Sequence, residues 1–110
     1  MKSQKTLQWD IQASNDDVMV VLSGDLTRNT LSPLWEQRAS FLQPELKQCI
    51  YWDLKHLQQI DSAGLTLFLE LLHFYAKNNK NYIINIPNSI TNLAQLFDLQ
   101  EWLAQFTTQS

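Results

Sequence analysis

Ser62 stands in Asp61-Ser62-Ala63-Gly64, between a strand-like run and an almost wholly apolar helix-like run. A hydroxyl at the first turn of a helix can cap the backbone, receive a phosphoryl group or meet a partner, and the tetrapeptide leaves all three open. The other reactive side chains form no catalytic constellation. His56 and His73, seventeen positions apart, are read on a loop and a helix, and a histidine on a nearly apolar helix is more often a packed or surface residue than a base. Cys49 sits in an apolar run, as a small buried hydrophobe does. Asp25, Asp53 and Asp61 can gather at strand ends around a cation or serve as turn and cap carboxylates, and the second role is the simpler. With only two glycines, Gly24 and Gly64, there is no glycine-rich phosphate loop. The chain is therefore expected to be no enzyme, with no metal and no cofactor.

Charge narrows the partners. The net charge is -3, and the eight basic residues Lys2, Lys5, Arg28, Arg38, Lys47, Lys55, Lys77 and Lys80 are scattered along the sequence. No basic stripe is available to grip nucleic acid or an anionic membrane surface. No run approaches the roughly 18 apolar residues of a membrane span, so no direct membrane insertion is expected. Met1-Lys2-Ser3-Gln4-Lys5 leads into an alternating segment instead of an apolar signal core, and a single cysteine excludes an intramolecular disulfide. These features predict a soluble, cytoplasmic protein. Its 110 residues, without repeat or linker, predict one domain over 1–110 that buries about two-thirds of its unfolded surface.

The elements that position Ser62 follow from periodicity. Leu7, Trp9, Ile11 and Ala13 alternate with polar residues, predicting an edge strand with one wet face. Asn15-Asp16-Asp17 is turn chemistry, and Val18-Met19-Val20-Val21-Leu22 predicts a second strand covered on both sides, paired with the first as an antiparallel hairpin. Ser23-Gly24-Asp25 is expected to break that strand and lead through a loop to Asn29. A helix with Ser32 as N-cap and Pro33 at its first position is predicted, carrying Leu34, Trp35, Ala39 and Leu42 on one stripe and stopping around Pro44. Cys49 to Leu54 predicts a central parallel strand, and Lys55 to Ile60 a connection into the Ser62 helix. Tyr82 to Ile86 predicts a further strand, Ile90 to Phe97 a helix, and Glu101-Trp102-Leu103 a last short one. The order β-β-α-β-α-β-α gives an α/β fold: a mixed sheet with an N-terminal hairpin and right-handed parallel crossovers.

The helix from Ala63 to Ala76 has ten apolar residues in fourteen, more than one face can hold. Leu65, Phe68, Leu69, Leu72 and Ala76 can cover the sheet, whereas Leu67, Leu71, Phe74 and Tyr75 point elsewhere, under neighbouring helices or toward a protein partner.

This order, together with Gly24-Asp25-Leu26 and the passage from Leu54-Ile60 into Asp61-Ser62-Ala63-Gly64-Leu65, resembles the STAS domain family of sulfate transporters and anti-sigma factor antagonists, over essentially the whole chain. In the antagonists the hydroxyl matching Ser62 is phosphorylated by a kinase partner, which abolishes binding. The tail Thr91-Asn92-Leu93-Ala94-Gln95-Leu96-Phe97-Asp98-Leu99 is similar to the small STAS subunits of Mla phospholipid ABC transporters, which maintain outer-membrane lipid asymmetry. That resemblance implies a non-catalytic subunit that binds the transporter's ATPase subunit, and through it the permease, at the inner face of the inner membrane. It implies that the residue matching Ser62 lies at the ATPase interface, and the partner surface expected around Ser62 comprises Asp61, Ala63, Gly64, Thr66, Leu67 and Glu70. The alternative it carries is an anti-sigma factor antagonist switched by phosphorylation of Ser62. Self-association is left open.

Overall fold

The computed structural model describes residues 7–14, 16–40 and 48–106. In chain order it forms β1 (Leu7–Ala13), β2 (Asp17–Leu26), α1 (Arg28–Glu36), β3 (Cys49–Ile60), α2 (Ser62–Tyr75), β4 (Lys80–Ile84), α3 (Asn88–Leu96) and α4 (Gln100–Ala104). The sheet order is β1-β2-β3-β4, antiparallel at β1-β2 and parallel beyond. The predicted α/β architecture is the observed one.

Register decides which side chains share a face. Val18 and Val20 lie opposite Ile50 and Trp52, which lie opposite Asn81 and Ile83, and all six are buried. Trp52 meets α2 edge-on at Phe68, centroids 5.5 Å apart, and lies 6.0 Å from Tyr75. The Trp52 indole donates to the Asn81 carboxamide oxygen at 3.0 Å, and the Asn81 amide donates to the Leu72 carbonyl at 3.3 Å. Asn81 thus joins strand to helix inside an apolar layer, where an unmet polar group would be costly.

The other face carries Met19, Val21, Tyr51, Tyr82 and Ile84, all partly exposed, with the two tyrosine rings stacked at 5.3 Å. β2 is therefore covered on one face, correcting the expectation of two: its burial alternates along Val18 to Leu22 because the packed helices lie on one side. In β1, Trp9, Ile11 and Ala13 share the register of Leu22, Val20 and Val18, yet only Leu7 is buried, and Trp9 and Ile11 remain 42% and 38% exposed. An edge strand lies at the limit of the helical layer, so its pattern records the pleat more than burial.

Several element boundaries differ from the expected ones, each for an identifiable reason. Thr27, not Ser32, caps α1, in a reciprocal box in which the Thr30 amide donates to Thr27 Oγ1 at 3.2 Å and the Thr27 amide to Thr30 Oγ1 at 2.9 Å. Pro33 lies inside that helix, which ends at Glu36; Ala39 lies beyond it, and Leu42 and Pro44 fall outside the described residues. β2 runs through Ser23-Gly24-Asp25 instead of breaking there, with Gly24 at φ 97 between two register shifts. That conformation is open to glycine, and bulges of this kind bend a strand without ending it. β3 accordingly continues to Ile60, pairing with Leu26, so the 55–60 connection is strand. β4 spans Lys80–Ile84, and Asn85 turns the chain at φ 56. The described chain closes back on the sheet where the Ile83 amide donates to the Phe106 carbonyl at 2.6 Å.

Replacing Asn81 with Ala removes the acceptor for the buried indole and is expected to cost about 1–3 kcal/mol of stability. Urea unfolding monitored by tryptophan fluorescence reads the change.

Candidate functional site

Asp61, extended at φ -115, is the N-cap of α2: its carboxylate accepts the Gly64 amide at 2.6 Å. Ser62 is thus the first helical residue, and its carbonyl accepts the Thr66 hydroxyl at 2.9 Å. The capping role open to Ser62 is taken by its neighbour. Its own hydroxyl makes no hydrogen bond to any described residue and lies at a half-buried position at the helix mouth.

A backbone contact fixes that mouth. The Asp61 amide donates to the Leu26 carbonyl at 3.2 Å, joining the end of β2 to the start of α2. A Cβ on Gly64 would run into the Leu26 carbonyl oxygen and lie 2.7 Å from Thr27 Cα. Thr27 is the N-cap of α1, so the N-termini of α1 and α2 lie side by side. Thr30 ties this junction further, its hydroxyl donating to the Asp25 carbonyl at 2.7 Å.

Around the mouth, Asp61, Ala63 and Glu70 are exposed, Ser62, Thr66 and Leu67 are half-buried, and Gly64 is buried. Gly64 acts on this surface by setting how deeply α2 sits. Of the second apolar set, Leu71 and Tyr75 are buried, which leaves Leu67 and Phe74 half-buried on the outer ridge. Packing within the fold therefore takes up two of the four residues that the composition left unassigned. Thr27 and Thr30 were missed as builders of the site, although their spacing is that of a capping box with a hydroxyl in place of the usual Glu or Gln.

The remaining polar residues have other places. The Asp53 carboxylate, buried in mid-sheet, accepts the Asn85 amide group at 3.0 Å and the Lys55 backbone amide at 3.1 Å, which steadies the positive-φ turn after β4. Asp25 and Asp61 lie at the β2-α1 and β3-α2 junctions, and no group of three potential metal ligands occurs among the described residues. His56 is on β3, opposite Ser23, and lines an open cleft of about 610 Å³ with Gln8, Asp10 and Gln58; it is on a strand where a loop was expected. His73 is exposed on α2. No helix is long and apolar enough to cross a membrane among the described residues.

The family model described as Mlab, STAS domain matches residues 9–105. Over 103 residues the chain is 40% identical to the intermembrane phospholipid transport system binding protein MlaB of Haemophilus influenzae, covering 91% of this chain and 98% of that one. It is 31% identical to the protein of the same name from Escherichia coli strain K12, covering 73% and 79%. The solved structure of the anti-sigma factor antagonist SpoIIAA in its unphosphorylated form superposes with a TM-score of 0.62 at 18% identity, covering 86% of this chain and 84% of that one; at that identity the likeness concerns the fold.

Three substitutions separate the roles at this junction. Gly64→Ala is expected to cost about 2–3 kcal/mol by overpacking rigid backbone, Asp61→Ala about 1 kcal/mol by loss of the cap, and Ser62→Ala about 0.5 kcal/mol or less. Chemical denaturation of the three proteins checks the ranking.

Proposed function

Because this chain belongs to the STAS domain family, in the branch described as Mlab, we propose that it is the STAS subunit of an intermembrane phospholipid transport system. In this reading it is non-catalytic and docks on the ATPase subunit of the ABC complex, and through that subunit on the permease, at the inner face of the inner membrane. The observation that carries the docking site is the Ser62 hydroxyl, which bonds to no described residue at a half-buried helix mouth while Asp61 does the capping. Asp61, Ala63, Thr66, Leu67 and Glu70 surround it along one ridge of α2, a mixture of small, polar and apolar groups suited to a close protein contact.

The two adjacent helix N-termini also favour a second role for the hydroxyl. First-turn amides tolerate a phosphate locally, so a kinase acting at Ser62 would add charge and bulk to the docking surface without unfolding the domain. That is the antagonist-like alternative, in which binding is controlled by phosphorylation. Intact mass of the protein isolated from its native cell distinguishes a phosphorylated chain from an unmodified one.

The expected outcome for Ser62→Glu is weaker binding to the ATPase subunit and reduced lipid transport, with stability within about 1 kcal/mol of the parent. Pull-down and calorimetric titration with the ATPase subunit measure the first, and thermal unfolding the second. Parental affinity in a folded Ser62→Glu protein would overturn the reading.

A further inference from the structure

At the other end of the α2 ridge the tertiary structure brings together charges that the sequence keeps far apart. The Arg38 guanidinium lies 4.2 Å from the centroid of the Trp35 ring and 5.4 Å from that of Phe74, and the Lys77 ammonium lies 5.7 Å from the same Phe74 ring. Arg38 is held at both ends. Its Nη1 donates to the Trp35 carbonyl at 2.8 Å, while its own carbonyl accepts the Tyr75 hydroxyl at 2.7 Å. Burial raises the Tyr75 phenol above its ordinary value, which keeps that donor protonated. A guanidinium stacked and tethered in this way has already lost much of the rotamer freedom that binding would otherwise remove.

In a chain of net charge -3, neither Arg38 nor Lys77 is ion-paired with a described residue. The bland account is that Arg38 closes the end of α1 through the Trp35 carbonyl. That uses one of its five donors and leaves Lys77 unexplained. Spacing supplies the connection: Ala63, Leu67, Glu70 and Phe74 on α2 and Lys77 in the turn just past its C-cap recur at intervals of three and four, a single ridge running from the Ser62 mouth to the cluster. Fourteen residues of helix are about 21 Å long, whereas a stable interface of about 800 Å² per partner is about 30 Å across. A partner that buries a standard area lengthwise along this ridge, with Ser62 toward one end of its footprint, therefore spans the roughly 21 Å to Arg38 and Lys77.

We propose that Arg38 and Lys77, clamped on Trp35 and Phe74, form a second contact point for the same protein partner and receive an Asp or Glu carboxylate from it. The footprint is then polarised along α2: Asp61 and Glu70 face the partner's cations near Ser62, and Arg38 and Lys77 face its anions at the far end. This rests on the docking reading above and specifies the chemistry that the partner must present.

The test titrates the full chain with the ATPase subunit of the same cell's complex at low and high salt, comparing the parent, Ser62→Glu, Arg38→Lys and the double variant Arg38→Gln/Lys77→Gln. The double variant is expected to lose on the order of tenfold in affinity and to show a flatter salt dependence. Arg38→Lys keeps the salt dependence but not the full affinity, because an ammonium cannot reproduce the stacked fork. Carbodiimide coupling should join Lys77 to a carboxylate of the partner. A folded double variant with parental affinity and salt dependence overturns the proposal, and if Ser62→Glu still weakens binding, the docking reading stands without it. Parental binding by Ser62→Glu removes the docking reading and this extension together. A double variant that melts earlier but keeps the parental salt dependence reduces Arg38 to a helix-end residue and overturns the proposal. So does self-association of the parent chain, or its binding to anionic vesicles, if the double variant abolishes it.

Discussion

The arrangement turns on a contact between two pieces of backbone. Gly64, in the first turn of α2, lies so close to Leu26 and Thr27 that no side chain fits between them. The Asp61 amide and the Leu26 carbonyl close the same junction with a hydrogen bond. Because Leu26 ends β2 and Thr27 starts α1, this contact sets the depth and direction of two helices at once. It also decides what Ser62 can do. With Asp61 bonded to the Gly64 amide and Gly64 pressed on β2, the serine is held at the mouth with its hydroxyl bonded to no described residue.

From that junction the rest of the helical layer follows. α2 lies over Trp52 and Ile83, and Asn81 links the Trp52 indole to the Leu72 carbonyl, so the strand and helix cannot slide past one another without breaking a buried polar bridge. The inner side of α2 is thereby consumed by the sheet and one flank by α1, and Leu71 and Tyr75 are buried in that packing. What remains outward is a narrow ridge of mixed character. The helix is apolar because it is packed on more than one side, not because it presents a broad apolar face.

Much of the architecture was legible in the sequence. The alternation in β1, the β-branched run of β2, the apolar core of β3 and the switch to helical spacing after Asp61 gave the element order, because each is a local pattern of period two or about 3.6. The misplaced boundaries are those where a hydrogen-bonded partner, near or far in sequence, overrides the signal of a single residue type. Gly24 reads as a strand end, yet β3 continues beside it and turns a break into a bulge. Pro33 reads as a helix start, yet the Thr27-Thr30 box nucleates the helix a turn and a half earlier. β1 reads as half-buried, but a pleat has two sides whether or not a helix covers either.

The candidate site divides in the same way. Which residues form the α2 mouth, and that a hydroxyl stands there, was determined by the order Asp61-Ser62-Ala63-Gly64 alone, since adjacent residues in one helical turn stay adjacent in space. Which of them caps the helix was decided by the close approach of Gly64 to β2, a contact between segments nearly forty residues apart. The convergence of Arg38 and Lys77 on Phe74 was likewise invisible in a chain whose basic residues look scattered. Periodicity reports the direction of a side chain relative to its own element. Only the packing of one element on another fixes what that side chain meets.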